Sequence, residues 1–107
     1  LNARAFSSLL YAGAVYTERP AEAYARLQTA ISRFEQVGCA AIVDGLMWLS
    51  ALLADADASP HQQAIARRGV SRPEKWARLW WPESFWPLLD AALAQPTPIP
   101  TEEVEHV

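Results

Sequence analysis

The chain has 107 residues, of which 51% are hydrophobic and 20% charged, with a formal net charge of −3 and a pI near 5.3. That length fits one small domain with a modest core, and the composition is too apolar and too weakly charged for a disordered chain. One cysteine excludes an internal disulfide framework, and no run of about 20 uncharged apolar residues offers a membrane span. The short apolar run after Arg4 is broken by Ser7 and Ser8, so no signal peptide is expected, and the lone Cys39 favours a reducing, cytoplasmic setting.

Twenty alanines, four glycines and few β-branched residues give an all-α expectation. The first helix is expected from Asn2 to about Thr17, with Phe6, Leu9, Leu10, Gly13 and Tyr16 near its apolar face. Arg19-Pro20 breaks it, because the residue before a proline avoids helical dihedrals. The second helix runs from Pro20 to Val37, with proline in its first turn and Gly38 as its stop. Tyr24, Leu27, Ile31 and Phe34 recur at helical spacing along it. The third is expected over Ala40–Ala56, with Ile42, Leu46, Leu49 and Leu53 as its main apolar face, widened by Met47 and Leu52. The short connection at Gly38-Cys39 makes the second and third helices an antiparallel αα-hairpin.

Ser59-Pro60-His61-Gln62 and Ser71-Arg72-Pro73-Glu74 read as capping boxes that open a short fourth helix, ended by Gly69, and a fifth helix from about Arg72 to Trp81. A sixth spans about Glu83 to Gln95, or starts at Pro87. Residues 96–107, with three prolines and then Glu102, Glu103 and Glu105, are expected to be an extended or disordered tail. The expected architecture is therefore a compact bundle of five to six helices over residues 1–95, built around the central hairpin.

Two features of the C-terminal half bear on function. The first is aromatic density. Trp76, Trp80, Trp81, Phe85 and Trp86 fall within eleven residues, with Trp76, Leu79 and Trp80 on one helical face and Trp81 pointing away from them. Tryptophan is enriched at interface hot spots because one rigid ring buries much apolar area and keeps an N–H donor. These rings either lid a small core or face a protein partner, which includes a second copy of the chain. The second feature is a basic block. Arg67, Arg68, Arg72, Lys75 and Arg78 stand against Glu74, whereas the chain beyond residue 78 carries acids and no base.

The segment Gln62–Pro73 resembles the turn of a helix-turn-helix DNA-binding motif, with Gly69, Val70 and Ser71 at the turn. The resemblance covers about 20 residues and departs in register. Ile65 stands four before the glycine, where the family has alanine, and Lys75 takes the place of an apolar core residue, with Trp76 one place late. It implies phosphate contacts from Arg67, Arg68, Arg72, Lys75 and Arg78. The acidic total charge opposes it, and the acidic segment that follows opposes an anionic membrane meeting Trp76, Arg78, Trp80, Trp81 and Lys75.

A catalytic constellation is not visible. His61 and His106 have no metal-ligand spacing, no Gly-rich phosphate loop occurs, and Cys39 reads as a small apolar filler. Asp44 is expected to be an edge residue paired with an arginine such as Arg33 or Arg4. The expectation is a non-catalytic helical protein without cofactor or metal, working through Trp76, Trp80, Trp81, Phe85 and Trp86, with DNA binding as the alternative.

Overall fold

The computed structural model describes residues 2–94; residues 96–107, read above as an extended or disordered tail, lie outside the described residues. Among the described residues there are six α-helices and no strand: α1 (Asn2–Val15), α2 (Pro20–Gln36), α3 (Ala40–Leu53), α4 (Ser59–Arg67), α5 (Pro73–Arg78) and α6 (Trp86–Ala94). A 3-10 turn over Glu83–Phe85 precedes α6.

α2 lies between α1 and α3, antiparallel to both, so the α2–α3 hairpin is central and α1 flanks it. The α1–α2 seam is lined by alanines. Ala5, Ala12, Ala23 and Ala30 are all buried, and side chains this small let the two helices approach closely while Leu9, Leu27, Ile31 and Phe34 fill the space between. This selection by size corrects the expected face of α1. Leu9 and Gly13 are inside, joined by Ala5, Ser8, Ala12 and Val15, whereas Leu10 is 62% exposed and Phe6 lies at the edge against Phe34. The Ser8 hydroxyl is satisfied by Arg33, whose Nη1 donates to it at 3.2 Å and to the Arg4 carbonyl at 3.2 Å. Tyr24 likewise turns outward from α2.

α3 is buried on two sides, against α2 and against α4 and α6, which explains an almost wholly apolar sequence. Gly45, Leu46, Trp48, Leu49 and Ala51 are buried along it. It ends at Leu53, three residues short of the expected Ala56. Asp55 adopts the left-handed conformation (φ 56°), and the N–H groups of Asp55 and Ala56 donate back to the carbonyls of Leu52 and Ala51. This is a Schellman closure, made with aspartate in the position that glycine usually fills. Gly38, at φ 79°, closes α2 in the same way.

Neither capping box forms. α4 already begins at Ser59, whose N–H is held by Asp57 Oδ1 at 3.0 Å. α5 begins at Pro73, because Arg72 before the proline is extended, which leaves Ser71 one residue too early to cap.

Candidate functional site

The segment 76–86 is the part of the molecule where sequence and structure concentrate unusual chemistry. It is clamped onto the bundle through two glycines. A Cβ at Gly45, midway along α3, would stand 2.5 Å from Trp80 Cζ2 and 2.9 Å from the Trp76 ring. A Cβ at Gly13, on α1, would stand 2.5 Å from Pro82 Cβ. Both helices thus present bare backbone where the segment lands. Ser84 Oγ donates to the Gly13 carbonyl at 2.6 Å and fixes the second landing point.

The rings form a continuous series. Trp76 and Trp80 meet edge to face at 5.2 Å between centroids, Trp80 and Trp81 at 6.4 Å, and Trp81 and Trp48 at 5.1 Å. Phe85 contacts Tyr16 of α1 at 5.1 Å. Trp86 Nε1 donates to the Trp81 carbonyl at 3.2 Å, and the Arg78 guanidinium lies over the Trp86 ring. The Nε1 groups of Trp80 and Trp81 are buried and have no acceptor in hydrogen-bond range among the described residues; a donor left unpaired in this way costs about 1–3 kcal/mol.

The structure divides the five aromatics expected to meet a partner. Trp81 is 3% exposed and Phe85 fully buried, so these two are core side chains and do not face outward. Trp76, Trp80 and Trp86 are half-buried, packed on the core with part of each ring at the surface. Leu79, expected to share the inner face with Trp76 and Trp80, is instead 81% exposed. The cause is local. α5 stops at Arg78, and the N–H groups of Leu79 and Trp80 bond to carbonyls three residues back, at Trp76 and Ala77. The Trp81 N–H still bonds four residues back, to Ala77, and the buried stripe of the segment is Pro73, Ala77 and Trp81 at i,i+4 spacing, which puts Trp81 inside and leaves Leu79 on the far side. Sequence reasoning missed Trp48 and the role of Gly45. A glycine inside an apolar helix was the available signal of close approach.

The basic block is interleaved with carboxylates. Asp44 pairs with an arginine, as expected, but the partner is Arg68, whose Nε lies 2.7 Å away, and not Arg33 or Arg4. Arg72 pairs with Glu74 at 3.3 Å, and Arg78 with Asp90. Arg67 and Lys75 have no carboxylate in ion-pair range among the described residues. Gly69 has the positive φ (96°) that the turn of a helix-turn-helix needs, but α5, in the place of the recognition helix, has six residues and is about 9 Å long.

Two carboxyl groups are held below their ordinary range. For Asp57 the main cause is the Ser59 backbone N–H; for Glu74 it is its own backbone N–H, followed by Arg72. Among the described residues no three His, Cys, Asp or Glu side chains gather as a metal site, and no helix is long and apolar enough to cross a membrane. Compared with known proteins, the chain has no significant match to a family model, a curated protein or a solved structure.

Proposed function

We propose that this protein is a non-catalytic interaction module that binds another protein, in the first instance a second copy of itself, through the outer surface of segment 76–86. The observation that carries this reading is Leu79. A leucine 81% exposed, in a short turn between half-buried Trp76, Trp80 and Trp86, is the most solvent-exposed large apolar side chain among the described residues. Its backbone is anchored from below by Trp81 and Phe85 and by the two glycine landing points. A partner would meet a surface that is already ordered, so little side-chain entropy is lost on binding. An apolar projection flanked by aromatics is the composition of an interface centre. A homodimer, with this surface packing on its own copy, hides it isologously. The lone, half-buried Cys39 is compatible with a cytoplasmic location.

DNA binding by Arg67, Arg68, Arg72, Lys75 and Arg78 is the reading this one displaces, since three of the five are already engaged with carboxylates. Sedimentation equilibrium separates the two. The wild-type chain is expected to self-associate at micromolar concentration with little dependence on salt, and Leu79→Lys is expected to be monomeric. Self-association unchanged by Leu79→Lys, or a wild-type chain that stays monomeric, overturns the homodimer. Affinity for mixed duplex DNA that falls steeply with added salt supports the alternative.

A further inference from the structure

At the end of the bundle opposite the α2–α3 turn lies an open apolar groove of about 730 Å³. Tyr16 from the end of α1, Pro20, Ala21 and Tyr24 from the start of α2, and Leu53 and Ala54 from the end of α3 line it. Tyr16 is held in place by its contact with core Phe85, while Tyr24 is 39% exposed. The groove carries no charged lining residue, and none of its lining residues belongs to segment 76–86, which it meets only through the Tyr16–Phe85 contact on the core side.

We propose that this groove is a docking site for the chain's own segment Pro96-Thr97-Pro98-Ile99-Pro100, captured intramolecularly. The first argument is chemical. Alternating prolines fix φ near −65° and favour the polyproline II conformation, and aromatic-lined grooves recognise such segments at low entropic cost. Two tyrosines beside a proline and aliphatic side chains supply ring faces for the pyrrolidines, a pocket for Ile99, and phenolic hydroxyls that donate to backbone carbonyls.

The second argument is placement. Leu88, Ala91 and Ala92 of α6 share a smaller hollow with Leu52, Asp55 and Ala56 at the end of α3. Leu53 and Ala54, which wall the groove, belong to that same helix end. The chain therefore leaves α6 beside the helix terminus on whose other side the groove lies. The third argument is length. In polyproline II geometry the stretch from Gln95 to Pro98 spans roughly 12 Å, about the diameter of a helix, so the first prolines cross the end of α3 and Ile99 and Pro100 are the residues brought into the groove.

Glutamyl endopeptidase applied to the full-length native chain tests this. Cleavage after Glu102 requires access to the residues just before it, including Ile99 and Pro100, whereas Glu105 lies beyond the docked stretch and serves as an internal reference. Docking is expected to slow cleavage after Glu102, relative to Glu105, by about fivefold or more against the free peptide of residues 95–107. Tyr24→Ala and Ile99→Asp are each expected to abolish that protection. Tyr24 is surface-exposed, and unchanged helical circular dichroism would show that its variant keeps the fold. Equal cleavage in wild type, Tyr24→Ala and free peptide overturns the proposal. So does protection that survives Tyr24→Ala, which puts the segment elsewhere. Protection that rises with protein concentration between about 1 and 100 µM assigns the groove to the tail of a second copy and overturns intramolecular capture.

Discussion

Gly45 sits in the middle of α3, where a glycine lowers helix stability by about 1 kcal/mol relative to alanine. The indoles of Trp76 and Trp80 occupy the space its missing Cβ leaves, close enough that no side chain fits without displacing one of them. Alanine at 45 gains helix propensity but forces two rings off the backbone, and overpacking of this kind costs about 1–3 kcal/mol or more. Because two rings are displaced at once, the upper half of that range applies, and Gly45→Ala is expected to lower unfolding free energy by a net of about 1–2 kcal/mol. Urea denaturation measures it, and a variant as stable as wild type would show that the rings do not depend on this site. At the same scale, Asp55 shows what sequence pattern hides. Nothing in the run Leu52-Leu53-Ala54-Asp55-Ala56 marks the helix end, because the left-handed residue is an aspartate and not the usual glycine.

Helix existence and order were legible wherever proline or glycine punctuates the chain. Pro20 starts α2, Gly38 closes it and Gly69 closes α4, each through a backbone constraint that acts locally. Faces were harder to read. On α1 the buried stripe follows small side chains, so a reading weighted by apolar size favoured Leu10, which stands in solvent. Along α5 and just beyond it the buried stripe is Pro73, Ala77 and Trp81 at i,i+4 spacing, so a face chosen for its largest side chains, Trp76, Leu79 and Trp80, placed Leu79 inside and Trp81 outside. The density of aromatics marked the segment where the rings gather, while its division into buried and exposed side chains depended on a stripe running through small Ala77, which a reading weighted by aromatic size passes over. The division has an energetic signature. Trp81→Ala is expected to cost about 3–5 kcal/mol of stability, as for other large core truncations. Leu79→Ala is expected to fall within about 0.5 kcal/mol of wild type in the isolated monomer. Similar losses for the two variants in chemical denaturation would contradict the assignment.

For the molecule as a whole, charge is arranged differently in space than along the chain. The basic block of residues 67–78 lies against Asp44 from α3 and Asp90 from α6, so the surface field is more mixed than the linear sequence suggests. These pairs are largely exposed and contribute little each; the core is held by apolar burial. Acid sensitivity follows from the two carboxyls whose pKa values are lowered. A group with a lowered folded-state pKa supports the fold above its unfolded value and withdraws that support as pH falls through the folded one. Asp57 and Glu74 both precede or open short helices, α4 and α5. Below the ordinary carboxylate range the α4–α5 region is expected to loosen before the α1–α2–α3 body, and hydrogen exchange at mildly acidic and strongly acidic pH reads this directly. Protection lost first from α1 would place the acid-labile contacts elsewhere.

The series Trp76, Trp80, Trp81 and Trp48 brings four strongly absorbing chromophores into van der Waals range, from the surface to the centre of the core. Transition dipoles held that close exchange excitation energy, so the near-ultraviolet signal of this protein belongs to the array and not to any single ring. Lifting the segment that carries three of its four members would dissolve the coupling at once. The chain thus contains its own label-free gauge of whether that segment is seated.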